Sequence, residues 1–244
     1  MKKRRFILAG LSLFSALASA EGQVTVHLPR NQNSIVIDRV KNLAQLMTQP
    51  ALMPYSHGAV IAERSATAVA QQHYQQTLAK LRAWRADSSS DSAAAIDDVI
   101  RQLQAINVTG RQFTPLDPDW IRLHPTDNRR LEGHYDLYLS SQPDSVLLLG
   151  ALAGAGKVRW QPGQSVRHYL ADHARLANAE RDFATVISPS GATRQVPIAY
   201  WNHRHVEVEP GSIIWLGFSS WSLPAAFDDL NSRILSVLTH RIPD

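Results

Sequence analysis

The hydrophobic positions change period several times along the chain. In VTVHLPRNQNSIVIDRV, residues 24 to 40, two runs of β-type alternation flank a polar turn from Pro29 to Ser34. DRVKNLAQLMTQP then takes helical spacing, with Val40, Leu43 and Met47 on one face and a stop near Pro50, and HGAVIAE reads as a further strand. From about Glu63 the period is helical over two long segments. Ala70, Tyr74, Leu78 and Leu81 form one stripe, and Ile96, Val99, Ile100, Leu103 and Ile106 form another. The polar stretch ADSSSDS joins them, so the pattern predicts an antiparallel helical hairpin over about 63–107, inserted into β-rich surroundings. After it, FTPLDPDWIRLHPTDNRRLEGHYDLYLSS returns to strand and turn, with alternation in HYDLYLS. A break at Pro143-Asp144 is the candidate domain boundary.

The second half is ordered more regularly. SVLLLGAL predicts a strand, AGAG a turn and KVRW a short strand; QSVRHYLADHARL predicts a helix carrying Val166, Tyr169 and Leu170. TVISPSG and TRQVPIAYWN are extended, and VEVEPGSIIWLGF predicts a closing strand pair around Pro210-Gly211. Two strands, one helix and further strands fit a mixed sheet wrapped over a single helix, a β-grasp. The first half fits the same order once the helical hairpin is removed. The expected fold is therefore α+β: two tandem β-grasp domains (21–142 and 143–222), the hairpin in the first, and a C-terminal amphipathic helix over 223–244. That helix opens at Pro224, with Asp228 and Asp229 near its start, His240 and Arg241 near its end, and the stripe Phe227, Leu230, Ile234, Val237 and Leu238. The stripe suits docking on its own domain, or a membrane surface or partner groove.

The N-terminus breaks this patterning. Lys2, Lys3, Arg4 and Arg5 precede an apolar run from Phe6 to Leu17 and the small-residue site Ala18-Ser19-Ala20. This is the form of a cleavable signal peptide over 1–20, and the run is shorter than the ~20 residues of a membrane-spanning helix. Export to the periplasm, with cleavage after Ala20, is the expectation. Four of the 25 basic residues and none of the 21 acidic ones lie in that segment, so the rest carries 21 of each and gives nucleic acid no electrostatic footprint. Cysteine is absent, which removes disulfides, thiol catalysis and thiolate metal sites.

Candidate chemistry is sparse. The stretch GALAGAGKV suggests a phosphate loop, but Ala151 occupies the first glycine position, Val158 the hydroxyl position, and RWQPG rather than a helix follows. His203, His205, Glu207 and Glu209 would share one face if HRHVEVE were a strand, yet ligands two apart on one strand do not by themselves enclose an ion. No Gly-x-Ser-x-Gly or His-Glu-x-x-His occurs, and SPSG at 188 to 191 reads as a turn. No metal, cofactor or catalytic residue is expected. Trp160, Trp201, Trp215 and Trp221 fall in the second half, with Arg159 and Arg204 near two of them. Aromatic faces beside guanidinium groups suit sugar rings and acidic polysaccharide, while most tryptophans fill cores.

The segments INVTGRQFTPLDPDWIRLHPTDNRRLEGHYDLYLSSQPDSVLLLGAL, WQPGQSVRHYLAD and VISPSG…VPIAYWN…VEPGSIIWLGF resemble the GfcC-like capsule and exopolysaccharide biosynthesis family. Its most specific pieces are TGR, LDPDWIR, PGQSV and VEPGSIIWLGF, none a catalytic signature. The resemblance spans the chain beyond the signal segment. It implies a soluble periplasmic protein of two β-grasp domains, similar to the soluble domains of outer-membrane polysaccharide export proteins. Within TGR, Arg111 is placed to meet an anion, or to make a salt bridge or a bond to backbone carbonyls. The reading is a monomeric, non-enzymatic accessory protein of exopolysaccharide or capsule assembly or export. It would bind polysaccharide or the export machinery through Arg111, Arg159, Trp160, Trp201 and Arg204. The alternatives are a polysaccharide hydrolase or lyase, and a scaffold held peripherally on a membrane by the tail helix.

Overall fold

The computed structural model describes residues 21–29, 34–52, 55 and 58–243. The expected signal peptide, and most of the turn between the first two strands, lie outside them. The first alternating runs are β1 (Gly22–His27) and β2 (Ser34–Val40), an antiparallel pair in which Val24 and Val26 are fully buried and Gln23, Thr25 and His27 partly exposed. Val40 belongs to β2, so the helix that follows is shorter than its spacing predicts: α1 (Leu43–Met47), capped by Asn42, whose side chain accepts from the Gln45 N–H at 2.9 Å. β3 (Val60–Glu63) leads into the predicted hairpin of α2 (Arg64–Ala86) and α3 (Ser90–Gln104).

The return carries a helix that the strand-and-turn reading does not contain, α4 (Pro118–Leu123). Its signal was local: Asp117 caps the Asp119 and Trp120 N–H groups, and Pro118 stands at the first turn, where its missing N–H costs nothing. β4 (His134–Tyr138) then enters the sheet between β1 and β3, giving the order β2-β1-β4-β3 with β1 and β4 parallel.

The second sheet is built from β5 (Ser145–Gly150), β6 (Gly156–Arg159), β7 (Phe183–Ile187), β8 (Thr193–Pro197) and β9 (Ile213–Leu216), in the order β6-β5-β9-β7-β8. Here too the first and last strands, β5 and β9, run parallel. The crossover helix α5 (Val166–Ala171) is only six residues long, started by Ser165, whose side chain accepts from the His168 N–H at 3.3 Å. The fold class is α+β with two sheets, as expected. The closing strand pair is not: Val206 and Val208 are buried, but their backbone runs beside α5, with the Val206 carbonyl accepting from the Val166 N–H at 2.9 Å. β9 instead inserts between β5 and β7, and all four of its residues are buried. A strand covered on both faces reads as a continuous apolar run, which is why IIWL does not alternate.

The tail helix also departs from its expected bounds. Pro224 precedes a single 3₁₀ turn (Ala225–Phe227), and the α-helix proper is α6 (Leu230–Thr239). Asp229 sits at its N-cap and bridges Lys80 of α2 to Arg233. The predicted stripe faces inward. Leu230, Ile234, Val237 and Leu238 are almost completely buried and Phe227 packs beside Trp84, so these residues form core and not a surface for a membrane or partner.

The described residues form two cores. The smaller lies under the first sheet and gathers Val24, Leu43, Leu46, Met47, Ile121 and Leu137. The larger joins the second sheet, α5 and α6 to the apolar faces of α2 and α3. The hairpin leaves the first sheet and buries its stripe against the second. Leu81 and Ile96 are fully buried there, and Trp84 meets Phe218 edge-on at 4.7 Å. Gln102 of α3 fixes the register, donating to the Gly150 carbonyl at 3.0 Å and accepting from its N–H at 2.7 Å. At Gly150 any Cβ would lie 2.0 Å from the Leu216 carbonyl oxygen, so this glycine serves the close approach of β5 to β9.

At its start α2 is clamped to the first sheet. Arg64 and His27 both bond Asp136 (3.3 and 3.0 Å), and His27 stacks on Tyr138 at 4.6 Å between centroids. Burial pushes the Asp136 carboxyl up, but the hydrogen bonds and charges of His27 and Arg64 outweigh it and leave the group below its ordinary value. A carboxylate depressed in the folded state stabilises fully above the unfolded carboxylate range, and that contribution is lost as pH falls through it toward the folded value.

Two outcomes follow. Leu81→Ala is expected to destabilise the whole protein by about 2–5 kcal/mol, measured as a lower urea midpoint. A loss confined to the hairpin, with the second sheet's transition unmoved, would show that the shared core is not cooperative. Asp136→Asn is expected to cost about 1 kcal/mol at neutral pH, because Arg64 is half exposed and solvent screens the pair. Its stability should also fall less steeply than wild type on acidification, read by thermal melts across pH.

Candidate functional site

The TGR motif at the end of the hairpin ties together four parts of the chain. Thr109 is fully buried; its N–H donates to the His240 carbonyl at 3.0 Å, and its hydroxyl lies 3.1 Å from that of Thr67 in the first turn of α2. Gly110 donates to the Thr67 hydroxyl at 3.0 Å, and its carbonyl accepts from the Glu63 N–H at 3.0 Å. A Cβ at Gly110 would come within 2.4 Å of the Thr67 nitrogen, so only glycine permits this approach. The motif therefore seals β3, α2 and the residues after α6 into one junction.

Arg111 projects from that junction toward the second unit. Its guanidinium donates through Nη2 to the Pro189 carbonyl, in the SPSG turn, and through Nη1 to the Thr239 carbonyl at 3.4 Å. Its Cζ lies 5.6 Å from the centre of the Phe113 ring. No carboxylate pairs with it among the described residues. Burial without a countercharge pulls its pKa down to about 10, so it is still a cation at neutral pH. Of the alternatives open in the sequence, backbone-carbonyl contact is the one the structure contains.

Arg111 lines a cleft of about 370 Å³ where the two units meet. One wall comes from the first sheet and the connection after it (Val60, Ser140 to Asp144), the other from β5, β6, the SPSG turn and the C-terminal residues Leu238 and Arg241. Its described lining includes the cations Arg111, Lys157 and Arg241, one carboxylate, Asp144, and the hydroxyls of Ser140, Ser141, Ser145 and Ser188. Hydroxyls, cations and a half-apolar wall can hold a small anionic, hydroxyl-rich group.

Comparison with known proteins agrees with this two-part construction. Residues 20–142 match the family described as capsule biosynthesis GfcC, N-terminal, and residues 154–243 match capsule biosynthesis GfcC C-terminal. The chain belongs to the GfcC capsule biosynthesis family. It is also 40% identical over 244 residues, the full length of both chains, to YjbG of Escherichia coli (strain K12), described as an uncharacterized protein. Family membership gives the chain a role in capsule biosynthesis; the hairpin, although part of the N-terminal family region, completes the core of the C-terminal one.

The other residues singled out in the sequence are not brought together at this cleft. Trp160 is half-buried; its Nε1 donates to the Val208 carbonyl at 2.8 Å, and its ring packs on the larger core. Arg159 and Arg204 are exposed and line neither the cleft nor the groove beside Trp201. Trp201 stands on a separate surface, over a shallow groove that shares no lining residue with the cleft. HRHVEVE is not a regular strand, but Val206 and Val208 are buried while His203, His205, Glu207 and Glu209 are exposed; His205 lies 3.3 Å from Glu207, and His203 meets the Tyr200 carbonyl at 2.8 Å. Among the described residues no group of three His, Asp or Glu could hold a metal ion, and no helix is long and apolar enough to cross a membrane. Lys157, Arg241 and the serines of the cleft were missed, because their convergence is a property of how the two units meet. The one local hint was SPSG, whose turn supplies the carbonyl that Arg111 grips.

Gly110→Ala is expected to lose several degrees in melting temperature or fail to accumulate, since the new methyl meets backbone and not a movable side chain. A melt within one degree of wild type would show that the junction yields.

Proposed function

We propose that the protein is exported and acts as a non-enzymatic accessory of capsule or exopolysaccharide assembly or export, holding an anionic group of the polymer or of its export machinery in the cleft around Arg111. The observation that carries this reading is Arg111 itself. A desolvated guanidinium facing two carbonyls and the Phe113 ring lacks the countercharge that would repay its burial, and an anionic ligand supplies one. The signal-like pattern over 1–20 supports export to the periplasm. The strand orders β2-β1-β4-β3 and β6-β5-β9-β7-β8, each with parallel first and last strands, support reading both units as β-grasp folds. That reading extends the likeness to the soluble domains of polysaccharide export proteins.

A hydrolase would draw on a pair of facing carboxylates. The described lining of the cleft offers one, Asp144, which favours binding over cleavage. A membrane scaffold would need α6 to leave the core, exposing Leu230, Ile234, Val237 and Leu238 at about 1.5–3 kcal/mol per side chain.

The test is capsular and secreted polysaccharide in a deletion strain, complemented with wild type or with Arg111→Lys, at matched protein level and with melts confirming the fold. Lysine keeps the charge but cannot grip two carbonyls as a fork, so output is expected to drop several-fold in that variant. Unchanged amount and polymer size in the deletion strain would remove the assignment. Full output from Arg111→Lys would remove the cleft from it.

A further inference from the structure

Three aromatic side chains of the second unit are left in water, beside clefts that share no lining residue with the Arg111 cleft. Trp221 is 97% exposed, Tyr200 84% and Trp201 75%. A single exposed ring is ordinary, but exposed rings grouped around one groove mark a surface that meets something. They stand over two adjoining shallow clefts. One is lined by Tyr200 and Trp201, the other by Trp221, and both share Arg175 and Arg181, which therefore lie between the aromatic ends. Arg167 adds a third guanidinium on the Trp201 side.

The rings are carried on hydrogen-bonded turns. In the turn carrying Tyr200 and Trp201, the Asn202 amide accepts from the Ala199 N–H at 3.0 Å, and the His203 N–H returns to the Ala199 carbonyl at 2.9 Å. Trp221 sits in a turn closed by Ser222, whose N–H and hydroxyl both bond the Ser219 carbonyl (3.0 and 2.7 Å). The arginines are likewise positioned. Arg175 donates to the Arg181 carbonyl at 3.2 Å, which joins the two basic stretches. The neighbouring acid, Glu180, is turned onto the Arg181 and Asp182 N–H groups at 2.8 and 2.9 Å. Asp182 is the one carboxylate in the lining, and none of Arg167, Arg175 and Arg181 forms an ion pair among the described residues.

We infer that this groove binds a segment of acidic polysaccharide, with sugar rings stacked on Trp201 and Trp221 and uronate-type carboxylates paired to Arg175 and Arg181. Ring faces offer the stacking surface that pyranose C–H groups use, and a guanidinium fork matches a carboxylate. The groove is open, which suits a chain passing along it more than an enclosed small molecule. A protein partner would seek a contiguous apolar centre between the aromatics, and here that centre is cationic. The inference rests on the polysaccharide reading above but concerns a surface separate from the Arg111 cleft.

The test is binding of the purified protein to polygalacturonate and hyaluronate, with dextran as the neutral control, by calorimetry or affinity electrophoresis. Wild type, Trp201→Ala, Trp221→Ala, Arg175→Gln/Arg181→Gln and Arg111→Lys are compared, with melts as the fold control. Wild type is expected to bind the polyuronates and not dextran, more weakly at higher salt. Each tryptophan variant should lose about tenfold in affinity and the double arginine variant at least as much. Groove variants that bind as wild type while Arg111→Lys does not would overturn this inference and leave the cleft reading standing. Wild type that ignores both polyuronates, or takes dextran equally well, also overturns it. So does loss of capsule output in the groove variants with polymer binding unchanged, since the surface would then be docking a protein.

Discussion

The apolar stripes of α2 and α3 cannot be buried by the sheet that encodes them. The first sheet already covers its inner face with α1 and α4, and the cluster of Val24, Leu46, Ile121 and Leu137 leaves no room for two long helices. The second sheet has the opposite need, because α5 is too short to cover five strands. The hairpin and α6 together supply the missing layer. Each unit is thus incomplete alone, and their relative placement is set by a hydrophobic core rather than by a linker.

The cleft is a consequence of that arrangement. To reach the second sheet and return, the chain must turn back beside the start of α2, and Gly110 is where the two backbones touch. Arg111 then emerges at the seam and meets the Pro189 and Thr239 carbonyls. Carbonyl oxygens take up two of its five N–H donors without neutralising its charge. The pulled-down pKa records this: the hydrogen bonds are made, and the electrostatic debt of burial remains.

How much of this could be read from the chain divides along range. The hairpin stripes, the β1–β2 pair, β4, β5 and the apolar tail were legible because period and burial are local. α4 was also written locally, in Asp117-Pro118, but two prolines and a short length favoured a turn. The strand pair proposed around Pro210-Gly211 failed because VEVE alternates as a strand does while pairing only with the start of α5. Nothing local says that IIWL belongs between β5 and β7. The site was legible only as a single residue. Arg111 could be named, but its carbonyl partners lie 78 and 128 positions away, and the cleft exists only where two units close on each other.

The tryptophans show the same division, and they separate structure from function. Trp84 and Trp215 are buried, and Trp160 gives its indole N–H to the Val208 carbonyl and its ring to the core. Those three serve folding, and replacing them would report on stability. Trp120 is half exposed but already engaged, stacked on His124 at 4.0 Å and bonded to Asp127 at 2.8 Å. Trp201 and Trp221 have no such partner ring or indole hydrogen bond among the described residues, and each is raised on a hydrogen-bonded turn. Folding gains little from them, since their surface stays in water. An exposed ring without a partner, carried on a hydrogen-bonded turn beside arginines without ion pairs, offers a face for a contact the isolated chain does not make.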